Sequence, residues 1–439
     1  MSGCEPMPID NVLVLGMYPY PWHHRELSDT MRMMTRVFPV RRKLFLNPPV
    51  GARQARTDRY PWQMGWTSRL DGDVYVCTPP LERLPSAFRL HHVKNRWASA
   101  QLPRFIEQML GTSNWRDQTV VYLSSGGIGQ SYEIFQALRP RFTIFDVLDD
   151  NLGFPGLSDS ELQSLYRQFS QLLRESTVVT AVSSHLVDKI SYDHEKKAAW
   201  LPNGVDVDRF AYHPDYGEAL PELAGLEGPL LGFVGAITSW VDLELLQKIA
   251  ESLSQGTVVL VGPVVESAVD KAAMDALRDH RRVVFLGAQP YERVPHFLHQ
   301  FDILLLPRNY QPHSLASDPL KLYEYLATGK PVLSSALPSA LRFRDLIYLG
   351  ESHDDILQAL NQVLRDEVLR KDSFRSSQRV GAARSLSWSQ RANRMMEILF
   401  AAISNEDEFD HLNRHDFFKD DINTGKKIWQ VNHHFSSQD

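Results

Sequence analysis

Lys321 and Glu324 stand three residues apart in Ser317–Pro331, a stretch that reads as one short helix. Asp318 suits the N-cap and Pro319 the first helical position. Gly329 suits the left-handed position after the last turn, and Pro331 blocks continuation. Leu320, Tyr323 and Ala327 form an apolar stripe at helical spacing, and the three-residue step puts Lys321 and Glu324 on one face. A lysine in the first turn opposes the helix dipole, where a carboxylate is the favoured residue. The placement makes sense if the helix start and Lys321 together hold an anion, phosphate being the usual one. Glu324, one turn deeper, is then placed to accept hydrogen bonds from a ribose. A surface helix with an incidental ion pair is the plainer reading of the same residues.

Ligands in open α/β sheets bind beyond the carboxyl ends of strands, so the residues that follow each strand-like run are the next candidates. Gly235, Ala236, Thr238 and Ser239 follow Gly232-Phe233-Val234 and precede a helix expected over Asp242–Ala250. Gly235 permits close backbone approach, and the helix start with Thr238 and Ser239 offers donors to an anion. Gly287, Gln289 and Tyr291 follow Val283–Leu286 and can present backbone groups to a base edge. Asp149 and Asp150 stand just past the run Thr143–Val147, where one carboxylate can take a proton from a hydroxyl as a general base or simply cap the next segment. Ser124–Ser131, with Gly127 and Gly129, resembles half of a dinucleotide fingerprint but lacks its third glycine, so it suits a phosphate or sugar better than NAD. Tyr20, Trp22, His23, His24 and Arg25 follow the first run and suit stacking on a sugar ring or gripping an acceptor phosphate. The two histidines lack the partner set of a zinc site.

These groups must be held by elements that alternate along the chain. Strands are expected at Val12–Leu15, Val74–Cys77, Val120–Leu123, Thr143–Val147 and Val178–Val182, with helices such as Leu27–Val37 and Ser160–Glu175 between them. A second series comprises Leu230–Val234, Val258–Val261, Val283–Leu286, Ile303–Leu306 and Val332–Ser334. Such alternation predicts parallel, doubly wound sheets. With 439 residues, two domains are expected, with a cleft between them. The expected boundaries are residues 1–200, a Pro-, Gly- and acid-rich linker at 201–228, a second domain at 229–385, a final helix at 386–404 that opens with a Ser387–Gln390 capping box and buries Trp388, Ala392, Met395, Leu399 and Ala402, and a charged tail at 405–439.

Two cysteines, Cys4 and Cys77, make neither a disulfide framework nor a metal cluster. No signal peptide and no bilayer-length apolar run are visible, so a cytoplasmic protein, or one peripheral to a membrane, is expected. The net charge of −6 hides a basic stretch. From Arg32 to Arg96 there are 13 Lys and Arg against 4 Asp and Glu. That excess suits phospholipid or a lipid-linked pyrophosphate, while the acidic whole and the lack of a nucleic-acid motif argue against nucleic acid.

Taken together, Leu201-Pro202-Asn203-Gly204-Val205-Asp206 with Phe210, Gly232–Leu246, Phe285–Pro307 and Asp318–Pro331 resemble GT-B glycosyltransferases, in particular bacterial enzymes of family 4 and of the xanthan glucuronosyltransferase type. The resemblance covers about 10 to 404, and Trp388 with the last helix resembles the segment that crosses back to the first domain in that fold. It implies two Rossmann-like domains, a nucleoside-diphosphate sugar (UDP-sugar by preference) held by the second, and an acceptor entering from the first. Lys321 would hold the diphosphate, Glu324 the ribose, and Gly287–Tyr291 would face the base, with Asp318 and Leu320 lining the same helix start. Asp149, and after it Asp150, would be the general base. The acceptor would be a saccharide or lipid-linked hydroxyl in cell-surface polysaccharide synthesis, the enzyme working without a metal or other cofactor, in the cytoplasm or peripheral to the inner face of the plasma membrane. Two departures stand out. Ala316 occupies the position of the first Glu in the family's Glu-seven residues-Glu pattern, and Trp240 and Asp242 stand where a basic residue is usual, so Lys321 is expected to carry the phosphate charge nearly alone. A nucleotide-sugar epimerase of the same fold and a catalytically degenerate scaffold protein are the rival readings.

Overall fold

The computed structural model describes residues 9–16, 31, 34–48, 66–78, 91–153, 158–368 and 373–404. The expected Tyr18–Arg25 loop, much of the basic stretch and of the Leu27–Val37 helix, and the 405–439 tail lie outside the described residues.

The chain divides into two compact units. The first takes the residues up to Val182, Leu186–Leu201 and the last helix from Ala392; the second takes Ser183–His185 and Pro202–Arg391. In the first unit the strands are β1 (Asn11–Leu15), β2 (Arg42–Leu46), β3 (Thr67–Asp71), β4 (Val74–Thr78), β5 (Thr119–Ser124), β6 (Phe142–Val147), β7 (Val178–Ala181) and β8 (Ala199–Trp200). They form one sheet in the order β3-β4-β2-β1-β5-β6-β7-β8, parallel except for the β3–β4 pair. Every residue of β1, β5, β6 and β7 is buried, which is why these strands show as unbroken apolar runs rather than alternating ones. β3 is an exposed edge strand joined to β4 through Gly72.

The second unit holds β9 (Leu230–Val234), β10 (Thr257–Val261), β11 (Val283–Gly287), β12 (Ile303–Leu306), β13 (Val332–Ser335) and β14 (Tyr348–Gly350), all parallel, in the order β11-β10-β9-β12-β13-β14. Alternate residues of β10 feed two separate cores: Val259 and Val261 join Phe297, Tyr323 and Leu326 on one face, and Val258 and Leu260 join Leu246, Ile249 and Leu277 on the other. Each fully buried large side chain contributes about 1.5–3 kcal/mol to holding the helices on the sheet.

Each sheet reverses its winding once, between β1 and β5 in the first unit and between β9 and β12 in the second. At such a point neighbouring loops diverge to opposite faces and leave a crevice at the strand ends. The final helix, Trp388–Ser404, buries Trp388, Ala392, Met395 and Leu399, and Gln390 N–H donates to Ser387 Oγ at 3.3 Å, the forward half of the expected capping box.

Candidate functional site

The Leu320–Thr328 helix is buried almost all round, not along a stripe: Leu322 through Thr328 are each buried, including Glu324 at 6% exposure. Gly329 ends it in the left-handed conformation expected, at φ 73°. Its start differs from the expectation. Pro319, not Asp318, is the N-cap, and no side chain caps the helix. Asp318 is turned inward instead. Its Oδ2 accepts from Asn203 N–H at 2.8 Å and from the Tyr323 hydroxyl at 2.5 Å, and its Oδ1 pairs with Arg342 at 3.1 Å. Burial pushes this carboxyl up to about 6 against the pull of Arg342. Asp318 therefore locks the 201–206 segment to the helix start, and a helix start without a capping side chain is what an anion site needs.

Gly235 ends β9 with φ 145°, and a methyl group built there would overlap the Lys321 side chain and lie 2.6 Å from its Nζ. The glycine is thus the floor on which Lys321 rests, which brings the two strongest sequence candidates together. The same helix is tied to β9 by the Val234 N–H, which donates to the Tyr325 hydroxyl at 3.1 Å. Ala236 is half-buried, Thr238 buried and Ser239 exposed. The anion cradle expected at the next helix is corrected by its cap. That helix starts at Leu243, and Asp242 accepts Leu245 N–H at 2.9 Å while its other oxygen meets His353 at 2.9 Å. A carboxylate already occupies that helix end, so it is not where a phosphate would go.

The loops after β9 and β12 form a short ribbon. Val241 pairs with Arg308, Asn309 N–H donates to Trp240 O at 3.1 Å, and Asn309 Nδ2 donates to Ser239 O at 2.6 Å. Arg308 lies 5.3 Å over the Trp240 ring and donates to Ser317 Oγ at 2.8 Å, beside the helix start. His313 packs edge-on to Trp240, and burial together with Arg308 holds its imidazole below the usual histidine range. Lys321 is therefore accompanied by a second cation at the switch point. Arg308 follows β12 as the strand-end rule would place a ligand residue, but its position beside Trp240 depends on pairing with the loop after β9.

At the end of β11, Gly287 takes φ 68° and its carbonyl accepts Gly262 N–H at 2.8 Å. The Gln289 amide is engaged at both ends, donating to Leu286 O and accepting from Arg293. Tyr291 donates its hydroxyl to Glu324 Oε1 at 3.0 Å, and Arg209 covers its ring at 4.1 Å.

In the first unit, Ser125–Gly127 form a single 3₁₀ turn after β5, and Gly129 sits at the start of the Ile128–Leu138 helix. Ser125 Oγ accepts Leu148 N–H at 3.0 Å, which binds this loop to the turn carrying Asp149 and Asp150. The two acids are not equivalent. Asp150 pairs with Lys189 at 2.6 Å, with its side chain only 10% exposed, while Asp149 is half-buried. Tyr20, Trp22, His23, His24 and Arg25 lie outside the described residues. Among the described residues, no group of three or more His, Cys, Asp and Glu is arranged to hold a metal, and no helix is long and apolar enough to cross a membrane.

Residues 222–379 match the family model of Glycosyl transferases group 1, which covers most of the second unit. TuaH of Bacillus subtilis (strain 168), named as a teichuronic acid biosynthesis glycosyltransferase, is 28% identical over 226 residues, spanning 50% of this chain and 55% of its own. The 2-deoxystreptamine glucosyltransferase of Streptomyces kanamyceticus is 33% identical over 116 residues, 24% of this chain and 30% of its own. The chain thus spans about half the length of the first relative and less of the second. Among solved structures, that of Anabaena HepE in complex with UDP and glucose superposes with a TM-score of 0.60 at 16% identity, covering 89% of this chain and 99% of HepE. The chain has the GT-B fold, two Rossmann-like sheets, and is related to the Glycosyl transferases group 1 family.

Proposed function

We propose that this protein is a glycosyltransferase that moves a sugar from a nucleoside-diphosphate donor to an acceptor hydroxyl. The observation that carries this is the seating of Lys321 on Gly235 at the β9–β12 switch point, one turn before a buried Glu324. A cation at an uncapped helix start is suited to a diphosphate, and a buried carboxylate beside it to a ribose diol. Uridine is the proposed base, supported by the UDP held in the HepE structures. In the reaction the acceptor oxygen forms a bond to the anomeric carbon as the bond from that carbon to the diphosphate breaks. Negative charge grows on the leaving diphosphate, where Lys321 and Arg308 would stabilise it. The acceptor proton passes to a carboxylate, for which Asp149 is proposed because one oxygen of Asp150 is spent on Lys189. Gly287, Gln289 and Tyr291 are assigned to the base side, Gly235, Ala236 and Leu320 to the diphosphate side with Asp318 as the brace behind that helix start, and Gly127, Gly129 and the Tyr20–Arg25 segment to the acceptor; Thr238 and Ser239 are left out because Asp242 caps the helix they lead into. The acceptor class proposed is a saccharide or lipid-linked hydroxyl in cell-surface polysaccharide synthesis, with no metal required and with the enzyme at the inner face of the plasma membrane. The name of TuaH supports that setting.

The test is a thermal-shift titration with UDP, GDP, ADP and NAD on wild type, Lys321→Ala and Glu324→Ala. A ligand at about a hundred times its dissociation constant adds about 2.7 kcal/mol of stability, a visible shift. The expected result is a shift with UDP that shrinks in both variants. No shift with any nucleotide would remove the donor-site reading and leave the scaffold reading in front.

A further inference from the structure

We propose that Tyr291 is a positioning residue for Glu324, and that through it the chain discriminates in favour of a ribose with both hydroxyls; the inference rests on the donor reading above. A carboxylate at 6% exposure on a buried helix needs donors aimed at it. Tyr291 supplies one, its O–H donating to Oε1 at 3.0 Å. A donor fixed on Oε1 sets the orientation of the whole carboxylate, and a vicinal diol needs that orientation to be set. A glutamate side chain otherwise spends its recognition energy on ordering its own torsions.

Tyr291 is itself held from three sides. Arg209 of the short Val207–Phe210 helix lies over the ring at 4.1 Å, and the Phe210 ring meets it edge-on at 6.2 Å. The turn that carries Tyr291 is braced by Arg293, which donates to Glu222 at 2.7 Å and to Gln289 Oε1 at 2.9 Å. One face of the ring is thus covered by a guanidinium, while the hydroxyl at its end is engaged by Glu324. The loop after β11 and the acid on the Leu320–Thr328 helix become one preorganised part.

The experiment measures binding of UDP and of 2′,3′-dideoxyuridine 5′-diphosphate by calorimetry, using the full chain as wild type, Tyr291→Phe and Glu324→Gln. Wild type is expected to prefer UDP. Tyr291→Phe is expected to lose about tenfold in UDP affinity and to keep its affinity for the dideoxy compound, since the lost bond is one to a charged group that only a diol uses. Equal weakening of both ligands, or unchanged discrimination in Tyr291→Phe while Glu324→Gln abolishes it, overturns the inference and leaves the donor site standing. Unchanged discrimination in Glu324→Gln removes the ribose role of Glu324 and this inference with it, and no binding of UDP by wild type overturns the donor reading as well.

Discussion

Gly235 is where a single methyl group separates backbone strain from ligand chemistry. An alanine there meets an unfavourable φ of 145° and displaces the Lys321 side chain. Gly235→Ala is expected to cost about 1–3 kcal/mol of stability and to weaken UDP binding at least as much as Lys321→Ala does. The double variant is expected to bind UDP no worse than Lys321→Ala alone, because removing the lysine removes the clash. Additive losses by calorimetry would mean that the glycine and the lysine act independently. The paired acids make a second test at this scale. Asp150→Asn breaks the 2.6 Å pair with Lys189 and is expected to lower the melting temperature while sparing turnover. Asp149→Asn is expected to lower turnover by about 10²–10⁴. The reverse ordering would move the base role to Asp150. Lys321 stands out in the sequence because a cation in a first helical turn conflicts with the dipole, and its place on Gly235 and the burial of Glu324 are what the structure adds. Asp318 was misread because composition alone gives an aspartate before a helix to the cap, while its partners Asn203 and Arg342 are distant in sequence.

The Leu320–Thr328 helix is closed at its far end by Arg379, which is fully buried. Its Nε and Nη2 donate to Gly329 O at 3.1 and 2.9 Å, and Nη1 donates to Leu346 O at 2.8 Å. A cation at this end meets the negative pole of the helix and donates to the carbonyl of Gly329 just past its last turn. Arg379→Met is expected to leave those carbonyls buried without these donors and to cost about 3–5 kcal/mol in urea unfolding, with UDP affinity of the folded protein little changed. A loss of affinity as large as that of Lys321→Ala would mean that the helix position itself depends on Arg379. At this scale the strands buried on both faces, β1, β5, β6, β7, β10, β12 and β13, were readable as apolar runs. Four others were not, for different reasons. β2 opens with Arg42 and Lys43, whose charged heads are spent on the Leu110 carbonyl and on Asp73. β3 is an exposed edge of polar residues, and β8 and β14 have only two and three residues. Arg308 went unread for a related reason. Its place beside Trp240 is created by pairing between loops that follow β9 and β12, and no local pattern encodes that pairing.

Across the whole molecule the decisive quantity is the contrast between a net charge of −6 and a basic stretch from Arg32 to Arg96. Part of that stretch is consumed inside the first sheet. Arg36 pairs with Asp71 at 3.3 Å, Lys43 with Asp73 at 2.6 Å, and Arg42 donates to Leu110 O. Such partly exposed pairs add little to stability, but they lower the local excess that a membrane would feel. The remaining cations are still concentrated in one segment of an otherwise acidic chain, and near an anionic surface each would contribute about 1 kcal/mol. If the acceptor is lipid-linked, this segment is expected to hold the protein on liposomes containing anionic phospholipid at about 0.01 M salt and to release it near 0.15 M, as the screening length falls from about 30 to about 8 Å. Neutral liposomes are expected to retain it less, because this mode of binding is by charge. Cosedimentation at the two salt concentrations decides the matter. Retention on anionic liposomes alone, reversed by salt, would tie the enzyme to a lipid-linked acceptor through charge. Failure at low salt would leave the donor chemistry of the second unit untouched and point to a water-soluble saccharide as the acceptor.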